Sequence, residues 1–344
     1  MSPTAGVMLA FAVLSGCGAV VPLAGSAAAE SAGPLPSPAP SDAQPTIRVA
    51  SLKGPTTMGL VHLMDDAEKG RGEQDYEVTV YGTPDEVVPK MLRGTIDIAL
   101  IPANLASVLY ARSLGADGSQ IEVAAINTLG MLEVLETGDT VQSMADLKGQ
   151  TIYSTGKGAS PEYVLNYLLE RNGLDPATDV TVEFKSEATE VAALLAATPN
   201  AIAVLPQPYA TVVRTQNPTV RTALSLTDEW AKVTPDSPPV TGVVVVRTDF
   251  ARTRPDDLDT FLREYRSSTE FTNAHPAQAG VLIADAGIVP GAAIAAAAIP
   301  SCHITYIEGA ELQTVLSGYL QVLFEADPAS VGGSMPGDDF YYRP

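Results

Sequence analysis

Two stretches of this chain carry one pattern of apolar and polar positions. In Gln150–Leu169, QTIYSTGKGASPEYVLNYLL, Thr151–Ser154 is a short β-prone run. Gly156-Lys157-Gly158 forms a turn, and Val164, Leu165, Leu168 and Leu169 recur on one helical face. Ser160 before Pro161 reads as an N-cap with proline at the first helical position, and Glu162 sits in the first turn. Thr46–Met64, TIRVASLKGPTTMGLVHLM, repeats the pattern 104 positions earlier, so that Lys53-Gly54 falls on Lys157-Gly158, Thr56 on Ser160, Leu60 on Val164 and Met64 on Leu168. The register continues through Asp75 and Asp179, Val78 and Val182, Glu86-Val87 and Glu190-Val191. It ends with Ile98-Ala99 on Ile202-Ala203 and Pro102 on Pro206. These are nine identities in about 60 positions, and the constant offset counts for more than their number. The pattern predicts two similar α/β lobes whose turns face each other across a cleft.

Between and beyond the repeats, strands are predicted at 76–81, 96–101 and 121–126, the last ending at Asn127-Thr128, with helices to Lys69, at 84–93 and over Leu105–Ser113. Val240–Arg247, VTGVVVVR, is an unbroken apolar run with Gly242 inside it, suited to a strand buried on both faces that returns to the first lobe. Long amphipathic helices follow at Pro255–Ala274 and Glu311–Ala326. The alternation of strand and helix favours α/β with mostly parallel sheets. Phe340, Tyr341 and Tyr342 are expected to pin the C-terminal segment to the surface, and Trp230 to pack on a lobe from a short helix.

Composition narrows the classes. The chain has 344 residues and a net charge of −20, with no basic stripe to neutralise phosphates, so nucleic acid is not an expected partner. Val7–Leu14 is apolar but too short to span a bilayer as a helix. Gly18–Pro45 is rich in Pro, Ala, Ser and Gly and cannot bury a core. Extended at roughly 3 Å per residue, it would hold a folded domain tens of ångströms from a membrane.

Most catalytic constellations are missing. Gly156-Lys157-Gly158 is not a nucleotide loop, because Thr151 stands where its first glycine belongs and Gly158 where a Ser or Thr must follow the lysine. His62, His275 and His303 are far apart, and no metal site is predicted. Cys302 and His303, read as strand neighbours, would face opposite ways, with Cys302 buried and inert. What remains are turns at the carboxyl ends of strands, where ligands bind in open α/β sheets. They offer Lys53, Gly54, Pro55, Thr56 and Thr57; Asn104; Asn127 and Thr128; Thr155, Gly158, Ala159 and Ser160; and Gln207 and Tyr209. Such a lining binds without chemistry, since it holds oxygens but has no evident acid, base or nucleophile. Simple helix capping is the alternative for Thr56 and Ser160. Lys53 and Lys157 stand beside helix N-termini, where a cation is unfavourable, so either they extend into solvent or an anion sits between them.

Several segments together resemble one family. They are Leu14-Ser15-Gly16-Cys17, which is similar to a lipobox, the low-complexity segment, LKGPTTMGL, DEVVPKMLRGTIDIALIPANLASVLY, DLKGQTIYSTGKGASPEYVLNYLLERNGL and AVLPQPY. They resemble bacterial ABC-transporter substrate-binding lipoproteins of the nitrate/sulfonate/taurine type, a branch that includes thiamine-precursor binders. The resemblance implies a bilobed periplasmic-binding-protein-like α/β fold of type II, with crossover strands near Asn127–Gly130 and Val240–Gly242. It implies a signal peptide at 1–16, lipidation of Cys17, a tether to residue 45, one lobe from 46–127 with 240–344, and another from 128–239. It further implies a lipid-anchored monomer on the extracytoplasmic face that closes on a small molecule and docks on a permease with a cytoplasmic ATPase. No cofactor and no enzymatic activity are expected. A ligand-sensing lipoprotein without its own permease stays open. Fungal pyrimidine synthases resembling this branch need a cysteine-rich iron site and a cofactor lysine, and the folded part here has Cys302 alone. The turns lack an evident bidentate arginine, which favours a small sulfonate-like anion or a neutral heterocycle over phosphate.

Overall fold

The computed structural model describes residues 45–116 and 118–343. The expected signal peptide, Cys17 and the tether up to residue 44 lie outside the described residues. In chain order, β1 (Ile47–Leu52) leads to α1 (Pro55–Met58), α2 (Val61–Glu68), β2 (Tyr76–Tyr81), α3 (Pro84–Leu92), β3 (Ile98–Pro102) and α4 (Ala103–Ser113). β4 (Ile121–Leu129) and β5 (Leu132–Glu136) follow. Next come β6 (Thr151–Ser154), α5 (Ser160–Arg171), β7 (Thr181–Phe184), α6 (Ala188–Ala197), β8 (Ile202–Pro206) and α7 (Tyr209–Gln216). The chain continues through β9 (Arg221–Ser225), α8 (Leu226–Val233), β10 (Val240–Arg247), α9 (Thr248–Thr253), α10 (Pro255–Ala274), α11 (Pro276–Asp285), α12 (Ala292–Ala298), β11 (Ile304–Ile307) and α13 (Gly309–Ala326). The starts of β1, α3 and β3 recur 104 residues later as the starts of β6, α6 and β8.

The strands form a six-stranded sheet, β11-β4-β10-β3-β1-β2, and a five-stranded sheet, β7-β6-β8-β5-β9. The repeat supplies the parallel part of each, with β1 between β2 and β3 and β6 between β7 and β8. The expectation of mostly parallel sheets is corrected. β10 is antiparallel to β3 and β4, β11 to β4, and β5 to both β8 and β9. The cause is how the chain enters each sheet. β5 starts at Leu132 opposite Pro206, and β10 passes Gly242 opposite Pro102, so both come in at the edge where the parallel strands end and must run back down.

β10 explains its own composition. Val243 and Val245 face one apolar cluster while Val244 and Val246 face another, so neither side of the strand meets water. The first cluster is continuous across both sheets, joining Ile101 and Val243 to Val134, Val204, Leu165 and Trp230. Trp230 is fully buried on α8, donates its indole N–H to the Ser237 carbonyl at 2.6 Å, and stacks at a tilt between Tyr167 and Tyr319. The C-terminal segment lies on the surface, as expected, with residues 332–334 and 337–339 exposed and the rings of Phe340 and Tyr341 buried beneath it. Phe340 is fully buried, and the Tyr342 N–H donates to the Val123 carbonyl at 2.9 Å, because the flank of β4 offers both apolar surface and free backbone groups. The helix expected to run unbroken to Lys69 is interrupted at Gly59-Leu60, where a side chain on residue 59 would press on Ile304 and Thr269.

Buried carboxylates sit at the opposite edge of each sheet. Asp97, just before β3, accepts from the Arg48 amide at 3.0 Å and from its guanidinium at 2.9 and 2.5 Å. Glu136, at the end of β5 opposite Ile202, has a fully buried side chain. Burial alone would raise its pKa. The Thr140 hydroxyl and amide, the Val141 amide and the Arg221 guanidinium outweigh that and hold it below the ordinary carboxylate value. A carboxylate held down in the fold contributes stability above its unfolded pKa, about 4.3, and loses it as pH falls through the folded value. Glu136→Gln should therefore cost about 3 kcal/mol at neutral pH. It should also flatten the loss of stability below about pH 4, as read from urea midpoints across pH.

Candidate functional site

The repeated turns occupy the edge through which the chain crosses between sheets. β1 delivers Lys53–Thr57, β3 delivers Asn104 on the first turn of α4, β6 delivers Thr155–Ser160, and β8 delivers Gln207 and Tyr209. Gly54 and Gly158 have φ of +142° and +74°, conformations that favour glycine. Asn127 and Thr128, expected as a turn after a strand, lie inside β4, which runs on to Leu129 because Thr128 pairs with Gly242 on one side and Ile304 on the other.

Neither Thr56 nor Ser160 acts as a helix cap, which corrects that expectation. Gly54 and Ala159 occupy the N-cap positions. The Thr56 hydroxyl donates back to the Leu52 carbonyl at 3.0 Å, and the Thr57 hydroxyl donates to the same carbonyl at 2.6 Å while sharing a hydrogen bond with the Ser51 hydroxyl at 2.7 Å. The Ser160 hydroxyl instead crosses between sheets and donates to Asn104 Oδ1 at 3.2 Å, with both residues buried. Asn104 Nδ2 donates to the Ser330 carbonyl at 3.2 Å, so the C-terminal segment orients the amide that meets Ser160.

Asn127 and Thr56 lie on the same edge as Asn104. A side chain at Gly242 would come within 2.4 Å of Asn127 Oδ1 and 2.9 Å of the Thr56 methyl, so glycine is what lets these residues approach. The Thr128 hydroxyl donates to Asn127 Oδ1 at 3.0 Å. Asn127 Nδ2 has no hydrogen-bond partner among the described residues, nor do the hydroxyls of Tyr265, Thr269 and Tyr319, all of them buried. Burial pushes the Tyr265 phenol well above its usual range, against the opposing pull of Thr269 and Asn127 beside it. Burial does the same to Tyr319, against Ser160. Buried polar atoms without partners are rare, and each asks for an explanation in ordered water or a ligand. A cavity of about 30 Å³ lies at the crossing end of the second sheet, lined by Gly130, Leu132, Ser160, Pro161, Val164, Leu226, Thr227 and Pro239 among others, with Thr241 reaching it from β10. None of these residues carries a charge.

Other expected site residues are placed elsewhere or already committed. Lys53 and Lys157 are both exposed. The Gly158 N–H is satisfied by Glu162 Oε2 at 2.6 Å, and Ala159 donates to the Gly156 carbonyl at 3.1 Å. Gln207 is buried but spends its amide on Glu133 at 2.8 Å and on the Thr211 hydroxyl at 2.8 Å. Tyr209 is half-buried against the outer face of the second sheet, and burial raises its phenol. Pro55 is buried and Thr155 half-buried. Cys302 and His303 lie in a turn before β11 and not on a strand. Burial of Cys302 pushes its thiol far up, consistent with an inert role.

Tyr265, Thr269 and Tyr319 escaped the sequence reading because each follows the apolar periodicity of a long helix. An aromatic or threonine on a buried helical stripe gives no sign that its hydroxyl lacks a partner.

Comparison with solved structures defines the class. An ABC transporter from Parabacteroides distasonis superposes with a TM-score of 0.71 at 21% identity, covering 87% of this chain and 99% of that one. The periplasmic aliphatic sulphonate binding protein of Escherichia coli superposes at 0.68 with 17% identity, covering 87% and 92%. A Candida albicans gene product exhibiting the generic periplasmic binding protein fold superposes at 0.58 with 13% identity, covering 86% and 93%. This chain has that bilobed α/β fold of type II. Residues 73–279, more than half of it, match the NMT1/THI5-like family model, and the chain belongs to that family. No match was found among curated proteins.

Gly242→Ala should drive Asn127 from its place and cost about 1–3 kcal/mol in denaturant unfolding, with the fold retained by circular dichroism.

Proposed function

We propose that this chain is the extracytoplasmic solute-binding component of an ABC importer, passing a small molecule to a permease served by a cytoplasmic ATPase. Residues 46–127 with 240–344 form one lobe and 128–239 the other. The crossings near Gly130 and Pro239 are the hinge. Cys17 carries the lipid anchor, the segment to residue 45 is the tether, and the protein works as a monomer.

The observation that carries this reading is the Ser160–Asn104 hydrogen bond. Turns from the two sheets meet there, beside buried polar atoms without partners. The cavity of about 30 Å³ has room for only a few waters, and on this reading a ligand is admitted when the lobes separate. Closure on the ligand then follows from its better fit to the closed form. The names of similar proteins point the same way, one an ABC transporter and another a sulphonate binder. Hydroxyls, amides and apolar walls suit a sulfonate-like anion or a neutral heterocycle. A multiply charged ligand would call for cations that the cavity lining does not hold. The buried Cys302 thiol also speaks for binding over a cysteine-dependent reaction.

Thermal melts of the purified protein with taurine, longer alkanesulfonates, nitrate and pyrimidines test the reading, with mass spectrometry of the ligand afterwards. A true ligand at a hundredfold its Kd should stabilise by about 2.7 kcal/mol and be recovered intact. Asn127→Ala should abolish most of that gain while folding normally. Turnover of the ligand, or no shift with any of the four classes, would overturn the assignment.

A further inference from the structure

The first crossing between sheets is held by a residue that belongs to neither of the strands it joins. β4 ends at Leu129 and β5 begins at Leu132, so the chain changes sheets at Gly130-Met131. The Leu129 N–H donates to the His303 carbonyl at 3.1 Å, and His303 Nδ1 makes a hydrogen bond to the Gly130 carbonyl. One residue therefore grips the peptides on either side of the Leu129–Gly130 link at the point of crossing. His303 does so with φ of +46°, a left-handed conformation that non-glycine side chains rarely adopt. Its neighbours force that conformation. Cys302 is fully buried with its sulfur 3.8 Å from Met58 Sδ, and Ile304 pairs with Thr128 in β11. With both flanks held, His303 at this positive φ presents its carbonyl and ring to the crossing together.

The second crossing lies against the first. A side chain at Gly130 would come within 2.4 Å of the Pro239 ring, just before β10, and within 2.8 Å of the Thr227 hydroxyl on α8. The two crossings therefore share one close-packed point. A non-glycine residue at positive φ costs on the order of 1–3 kcal/mol and persists only where its surroundings over-determine it.

We infer that His303 is a latch that sets the first crossing in the closed position, through the bond from its ring to the Gly130 carbonyl. The inference rests on the hinge-closing reading above but not on which molecule is bound. Nδ1 must carry a proton to donate to that carbonyl, which selects the Nδ1–H tautomer or the imidazolium. His303 acts on the ligand site as a positioning residue, through the crossing.

The chain has one tryptophan, Trp230, packed against Tyr319, so its exposure reports lobe separation without any ligand. His303→Gly keeps the backbone conformation free of strain and removes only the ring. In the ligand-free protein it should raise the acrylamide quenching constant of Trp230 roughly twofold or more and enlarge the radius of gyration by small-angle scattering. His303→Asn tolerates the same φ and offers a side-chain donor, and should restore both values towards wild type. Quenching and radius in His303→Gly equal to wild type would overturn the latch. So would an open state in His303→Gly that His303→Asn fails to reverse at all. Neither outcome depends on ligand screening, so a failed latch leaves the binding reading standing, and a failed ligand screen leaves the latch result readable.

Discussion

Strand β10 must be buried on both faces, and most of the architecture follows from that requirement. Its four consecutive valines have no water-facing side, so the strand can rest only between β3 and β4. The chain reaches that slot after completing the second sheet, so it must leave the first sheet and come back. Two crossings at one edge follow, and they bring the turns of both repeats to the same place. Gly242 and Gly130 are where backbone meets neighbouring side chains too closely for a side chain of their own.

The buried carboxylates Asp97 and Glu136 lie at one edge of the sheets, and buried neutral groups at the other. Asp97 and Glu136 are sealed at the outer edge by arginines and backbone amides, where each carboxylate is satisfied and immobile. The crossing edge holds hydroxyls and amides whose partners are incomplete. The charges near the crossing edge, such as Glu133 and Glu162, are held within one sheet's own turns, whereas a fully buried charge facing the other sheet would need a counter-ion there that would resist lobe separation. Neutral groups lose less when separated and rehydrated. The same edge can therefore open and close, while the outer one stays locked.

The sequence showed the repeat with accuracy, because strand and helix starts recur at the offset the identities carry. β10 and α10 were legible for the same reason, one as an unbroken apolar run and the other as a long helical stripe with proline at its start. Strand direction was not legible, since a buried run reads alike in either sense and only the crossing decides it. At the site, residue types at turns were easy to name, but their commitments were hidden. Thr57 and Gln207 look like ligand groups and are spent on their own sheet. Ser160 looks like a cap and bonds across the molecule. Asn104 was legible as a turn residue, but not that a carbonyl 226 positions away would orient it. His303 gave no signal, because its conformation is dictated by neighbours distant in sequence.

That distant carbonyl has a consequence for synthesis. The second sheet is built from one unbroken stretch, Leu132 to Ser225, and has all its strands once that stretch is made. The first sheet needs β10, β11 and finally Ser330, whose carbonyl receives the Asn104 amide. One half can thus take shape early, while the other waits for β10, β11 and Ser330 to be made. A chain lacking Ser330 would leave the amide of Asn104, 226 positions earlier, without that partner, and would carry a finished half beside an unfinished one.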